Sequence, residues 1–277
     1  MLQKEKRKTL IGDILGVIIT VLIFIIPFYF MFVNSIKSKK EANQLSIAWP
    51  KEIHFENYVE VLTKSNGQFI TAFKNSAILT LCSVALLCLF GAMAGYAIQR
   101  RSDSKMKFVQ SVIMLGLMIP ASILPTIHLL QTLHLYKTML GMILIEVALQ
   151  LPFTIMLYRG YMASIPVELE ESAKIDGCNS WQIFTKIIFP LLKPINATVI
   201  ILDAVTIFND FTNPLYFLPG AKNATVQLTL YNYKGQFASS YNLLFADIIL
   251  ITVPMLILFL IFNKKIVAGM VAGSVKG

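Results

Sequence analysis

The chain has 277 residues, 56% of them hydrophobic and only 14% charged, too few polar side chains to cover a water-soluble globule of this size. Its net charge of +9 comes from short Lys/Arg clusters beside apolar runs, not from an aromatic-interleaved basic face. That excludes nucleic acid as the partner and points to the flanks of membrane spans. The cysteines Cys82, Cys88 and Cys178 form no disulfide framework. His54, His128 and His134 lack Cys or carboxylate neighbours at ligand spacing, so no metal site is expected.

The N-terminus opens with Lys4-Glu5-Lys6-Arg7-Lys8 and then an apolar run from about residue 10 to 33. That run is long enough to cross a hydrocarbon core of roughly 30 Å, and it lacks the short apolar region and small-residue cleavage site of a removed signal. Further spans are expected at 72–98, 108–133, 139–163, 195–217 and 243–262, giving an all-α polytopic membrane protein of six transmembrane helices. Pro27, Pro120, Pro125, Pro152 and Pro254 fall within these runs and predict bends, because neighbouring groups satisfy the freed carbonyls.

Arg100, Arg101, Lys105 and Lys107, then Arg159, Lys174, Lys186 and Lys193, and finally Lys264, Lys265 and Lys276 share one side with the basic N-terminus. The positive-inside bias makes that side cytoplasmic, although the loop at 34–71 on the other side is itself lysine-rich. This first outer loop, with Trp49-Pro50 and an acidic Tyr-bearing stretch from Glu52 to Glu60, is a candidate contact for an extracytoplasmic binding protein.

Between the fourth and fifth spans lies a polar interruption, 164–194, that reads as two short helices joined by a turn. Ser164 is the expected cap of the first, with Pro166 in its first turn and Glu168, Glu170 and Glu171 near the positive end of its dipole. Glu170 stands four residues before Lys174, the favourable order for a side-chain pair. Gly177 suits a left-handed helix end. The second helix opens with Asn179 or Ser180 as its cap, Gln182 standing three positions beyond Asn179 in a capping-box-like arrangement, and Trp181, Phe184, Ile187 and Ile188 recur along it at helical spacing. An amphipathic connector resting on the membrane surface accounts for much of this pattern, but not for a tight Gly turn between two capped helices.

Glu171-Ser172-Ala173, then Gly177, Ile187 and Phe189-Pro190, resemble the E-A-A-x3-G-x9-I-x-L-P signature of importer-type ATP-binding-cassette (ABC) permeases, with Ser and Phe replacing one Ala and the Leu. Glu170, Ile175, Asp176, Trp181, Gln182 and Phe184, with "FKNSAILT" (Phe73 to Thr80), "FNDFTNPLYFL" (Phe208 to Leu218) and the tail from Val267 to Gly277, are similar to the maltose-type carbohydrate permeases, in the MalG-like of their two subunits. The resemblance covers essentially the whole chain. It implies a permease domain over 1–277 whose loop 164–194 is a cytoplasmic coupling helix hairpin docking into an ATPase cleft. Glu170, Glu171, Ser172, Ala173, Asp176, Gly177, Trp181 and Phe184 would then form the coupling set, and Val275, Lys276 and Gly277 of the tail (267–277) would reach the ATPases. The implied partners are a second permease, an ABC ATPase dimer and an extracytoplasmic carbohydrate-binding protein. The implied setting is a bacterial cell membrane, with both termini cytoplasmic and lipid around the chain.

Ionisable groups inside spans are functional candidates by default. Asn209, Asp210 and Asn213, near Phe208, Phe211 and Tyr216, together with Glu146 and Gln150 on one face of the fourth span, are the candidate lining of a translocation path. Helix capping and interhelical pairing are the structural alternatives. No catalytic constellation and no G-x-x-x-x-G-K-S/T phosphate loop is present. The chain is therefore expected to bind no cofactor and to be no enzyme, with ATP and Mg used by the partner ATPases. The rivals are an importer for another solute and an ion-coupled secondary transporter using Glu146, Asp203 or Asp210.

Overall fold

The structure, a computed structural model, describes residues 13–235 and 239–274. Its elements are α1 (Asp13–Ser35), α2 (Lys39–Ala42), α3 (Glu56–Arg100, two helical stretches joined across non-helical residues 64–67), α4 (Ser104–Met118), α5 (Ile123–Thr132), α6 (Met139–Met162), α7 (Glu168–Ile175), α8 (Ser180–Leu191), α9 (Lys193–Phe208), α10 (Thr212–Phe217), a 3-10 segment (Val226–Tyr233) and α11 (Tyr241–Ser274). Among the described residues the only β pairing is an isolated bridge between Lys234 and Ser239. Among the described residues four helices are long and apolar enough to cross a membrane, or up to six if each of two bent pairs is one span.

The chain divides into two compact units. The first comprises Met1–Ile70 and Thr229–Pro254. Here α1 leaves its apolar surface uncovered until its last turn, where Val33, Asn34 and Ser35 become buried. Buried polar groups join this turn to the rest of the unit. Asn57 Nδ2 donates to the carbonyls of Ser35 (2.8 Å) and Lys37 (2.9 Å), and Asn57 Oδ1 accepts from Asn242 at 2.8 Å. Lys37, in the loop after α1, is itself buried and donates to the Ser46 carbonyl at 2.6 Å; burial pushes its ammonium below the usual lysine range. Thr229 donates to the buried Asp247 at 2.8 Å.

The second unit, Thr71–Leu228 with Met255–Gly277, holds two apolar cores. One gathers Leu79, Leu87, Met142, Ile145, Ile207 and Phe217; the other gathers Ala92, Tyr158, Met162, Ile183, Ile188 and Val199. In α3 the sequence Gly91-Ala92-Met93-Ala94-Gly95 puts two glycines on one face, the small-x3-small spacing that lets helix backbones close up. A Cβ on Gly91 would sit 2.6 Å from Thr154 Cγ2, and one on Gly95 would sit 2.9 Å from Tyr158 Cβ, so α6 occupies the space those side chains would need.

The spans expected at 72–98, 139–163 and 243–262 fall within helices α3, α6 and α11, and Pro152 and Pro254 lie inside unbroken helices. The expected span at 108–133 is instead a broken one: α4 and α5 meet at 118°. Ile119, the residue before Pro120, is extended (φ −85°, ψ 118°), as the proline ring requires of its predecessor, so Pro120 breaks the helix where only a bend was expected. The fifth span also ends early. α9 stops at Phe208, and Asn209 and Asp210 lie in a non-helical link before α10. The tail residues Val275, Lys276 and Gly277 lie outside the described residues.

Candidate functional site

The hairpin α7–α8 is built largely as its caps dictate. Asn179 Oδ1 accepts from the Gln182 backbone and Gln182 Oε1 accepts from the Asn179 backbone, both at 2.9 Å, completing the reciprocal capping box. Gly177 takes φ +85°, a conformation that a Cβ disfavours. The Cys178 amide then reaches back to the Ala173 carbonyl at 2.9 Å and closes α7. At its start the cap differs from expectation. Val167 rather than Ser164 occupies the N-cap position, and the Ser164 hydroxyl donates backward to Tyr161 at 2.7 Å, a local bond that competes with capping.

The hairpin does not lie loosely on a surface. Ala173, Ile183, Phe184, Ile188 and Leu192 belong to the same buried cluster as Tyr158 and Met162 of α6. Phe184 and Ile188, four residues apart in a π-helical stretch (Phe184–Ile188), are both buried. The aromatic rings are in contact, with Phe184 centred 5.5 Å from Tyr96, 6.0 Å from Phe189 and 6.2 Å from Trp181.

Successive residues of a helix point about 100° apart, and α7 uses this to divide its residues. Glu170 and Ala173 face inward and are buried, whereas Glu168, Glu171, Ser172, Lys174, Ile175 and Asp176 are exposed. Glu170, 3% exposed, pairs not with Lys174 but with Arg100 at the end of α3. Arg100 Nε donates to Glu170 Oε1 at 2.6 Å, Tyr96 Oη donates to Oε2 at 2.8 Å, and Arg100 Nη2 donates to the Ile165 carbonyl at 2.9 Å. Glu170, Ala173 and Phe184 are therefore internal, and the outer face of the hairpin is left to Glu171, Ser172, Asp176, Gly177 and Trp181 of the expected set. That outer face also carries a residue the sequence argument had not placed on it. Ile175 is 87% exposed and Trp181 60% exposed, an apolar pair flanking the turn, with Glu171 and Lys174 beside it. An apolar residue one position before a helix-ending Asp-Gly was the available signal.

The candidate path residues gather around the link after α9. Asp210 caps α10, accepting from the backbone of Thr212 at 2.9 Å and of Asn213 at 3.2 Å, and from Asn213 Nδ2 at 2.6 Å. Glu146 reaches the same place from α6, its carboxyl interacting with that of Asp210. Glu146 is 1% exposed, and its Oε1 has no hydrogen-bond partner among the described residues. Asn209 Oδ1 accepts from Gln227 at 3.0 Å. Asp203 lies elsewhere, accepting from Thr154 of α6 at 2.9 Å; a second α6–α9 bond joins Tyr158 to Asn196 at 2.7 Å. Glu146, Asp210 and Asn213 thus form one polar cluster, Asn209 beside it pairs with Gln227, and Asp203 makes a separate interhelical bond. Gln150, one turn along α6, is half-buried.

Residues 67–271 match the family described as binding-protein-dependent transport system inner membrane component. The chain is similar to the melibiose/raffinose/stachyose import permease protein MelC of Bacillus subtilis, with 34% identity over 91% of each chain. It is also similar to the multiple sugar-binding transport system permease protein MsmG of Streptococcus mutans, with 35% identity over 92% of this chain and 93% of that one. Among solved structures, a bacterial ABC transporter involved in the import of the acidic polysaccharide alginate shares the fold, with TM-score 0.83, 22% identity, and 94% of this chain and 97% of that chain covered. With the broken spans and the hairpin in place, the chain belongs to the family of binding-protein-dependent transport system inner membrane components, a multi-pass membrane subunit of ABC transport rather than an enzyme.

Proposed function

We propose that this chain is one of two permease subunits of an ATP-driven carbohydrate importer. Both termini and the α7–α8 hairpin are cytoplasmic in this reading. A dimer of ABC ATPases burns ATP with Mg, and an extracytoplasmic carbohydrate-binding protein delivers the solute. The observation that carries the reading is the outer face of the hairpin: Ile175 and Trp181 are exposed beside Glu171 on a turn whose other face is packed into the protein. A helix pair with one face anchored and an apolar tip presented outward is suited to a cleft in a second protein, where the exposed apolar area becomes buried and Glu171 meets a basic group. The sugar-importing relatives support a carbohydrate as solute. The amides and carboxylates around Asp210, beside Phe211 and Tyr216, are suited to line its path, with hydrogen-bonding groups for hydroxyls and ring faces for stacking. The tail residues Val275, Lys276 and Gly277 belong to the same proposed ATPase contact.

The test is purification of the tagged chain from its native membrane in mild detergent, with mass spectrometry of the proteins that accompany it. A P-loop ATPase and a second multi-span permease in fixed ratio are expected. Glu171→Lys is expected to leave the second permease in place and to remove most of the ATPase. A homomeric chain without ATPase, or normal ATPase recovery with Glu171→Lys, overturns the docking role.

A further inference from the structure

The last turn of α3 holds both arms of the hairpin. Tyr96 and Arg100 are four residues apart, hence on one helix face, and both donate to Glu170 of α7, while the ring of Tyr96 lies against Phe184 of α8. Arg100 also bonds the Ile165 carbonyl, in the strand of chain that leads from α6 into α7. The partners are far apart in sequence, and the Arg100–Glu170 pair is largely shielded, with side-chain exposures of 15% and 4%. Charge-assisted bonds in such surroundings are stiff, because slipping them leaves a charge without a partner in low dielectric.

The covalent ends of the hairpin are breaks in the helices, although Ile165 and Leu192 within them are buried. It enters through a non-helical turn at 163–167 and leaves through the 75° bend between α8 and α9. The apolar packing that also holds the hairpin is non-directional and can slide, so a push is partly absorbed by bending at the two breaks. Held also by Arg100 and Tyr96, the hairpin carries the end of α3 with it, and Gly91 and Gly95 keep that part of α3 flush against α6.

We infer that Tyr96, Arg100 and Glu170 form a latch that delivers movement of the coupling hairpin to the second span, α3, to which the hairpin has no direct covalent link. They are positioning residues, acting through the hairpin they hold. The inference rests on the hairpin being the ATPase contact, and the experiment separates the two. The full complex, with its ATPases, is reconstituted in lipid nanodiscs. The rate of N-ethylmaleimide alkylation of Cys82, an exposed residue of α3 well away from the latch, is then followed by peptide mass spectrometry with and without ATP plus vanadate. A several-fold nucleotide-dependent change in that rate is expected in the wild type and is lost in Arg100→Gln, with the ATPases still present in the same ratio. Arg100→Lys, which keeps the charge, is expected to restore part of the change, and Tyr96→Phe, which keeps the ion pair, to reduce it without abolishing it. A merely structural role would lower the yield of the variants and leave the nucleotide response of the assembled complex intact. Full response in both Arg100→Gln and Tyr96→Phe, or no nucleotide response in the wild type, overturns the latch. If Arg100→Gln cannot be assembled, the Tyr96→Phe and Arg100→Lys responses decide alone. Absence of ATPase from the wild-type preparation overturns the docking reading and the latch with it.

Discussion

Glu170 and Glu171 carry the same charge on adjacent residues of one helix, yet one is enclosed by Arg100 and Tyr96 and the other stands in the open. No local pattern distinguishes them, because Arg100 lies 70 positions away and its approach depends on how α3 packs. The nearer cation, Lys174, made the obvious local pair, and it lost to a partner that offers more bonds in a drier place. Sterics at Gly91 are equally invisible in sequence and equally specific. Gly91→Ala places a methyl group 2.6 Å from Thr154 Cγ2 and is expected to cost about 1–3 kcal/mol through overpacking. Gly160→Ala on the facing helix meets nothing within 4 Å and is expected to be neutral, or to stabilise by up to about 1 kcal/mol through helix propensity. Thermal melting of the two variants in the same detergent checks the contrast.

Among the elements, those defined by short-range chemistry were legible in the sequence. The capping box at Asn179, the left-handed Gly177 and the uninterrupted spans around Pro152 and Pro254 each follow from a few neighbouring residues. The broken third span was not, because hydropathy runs continuously across 108–133 and gives no sign of a break. The constraint that Pro120 places on Ile119 was present but was read as a kink, since a proline inside an apolar run has both outcomes open to it. The end of α9 is hidden for a similar reason: Asn209 and Asp210 interrupt an apolar run, and it is the Asp210 carboxylate that accepts from the first amides of the next helix. Element-level stability has its own test. Asn179→Ala removes the acceptor of the Gln182 amide and is expected to cost about 1 kcal/mol. The loss should be confined to α8, so hydrogen exchange should quicken at the amides of 180–183 and stay unchanged in α6.

Taken as a whole, the molecule separates the residues that anchor the hairpin from those it presents outward. Glu170→Ala leaves the guanidinium of Arg100 in a site it cannot leave freely. Breaking a buried pair costs about 3–5 kcal/mol, and the low end applies here because Arg100 retains some exposure and its bond to Ile165. A clear drop in the melting temperature of the purified chain is expected, read by scanning fluorimetry. Glu171→Lys, on the open face, is expected to leave the melting temperature unchanged while removing the ATPase. Equal melting losses in the two variants would contradict the division of α7 into an anchored and a presented face.

That division has a consequence for how the gene can change. Surface loops ordinarily tolerate insertions and deletions, but one residue added between Val167 and Glu170 would turn every later side chain of α7 by about 100°. Glu171 would then move away from the open face and Glu170 away from Arg100, so a single frame-preserving codon would undo the anchor and the proposed contact together. Substitutions on the open face leave the anchor intact. The 164–194 segment is therefore expected to vary by replacement and hold its length, a loop under the indel constraint of a core helix.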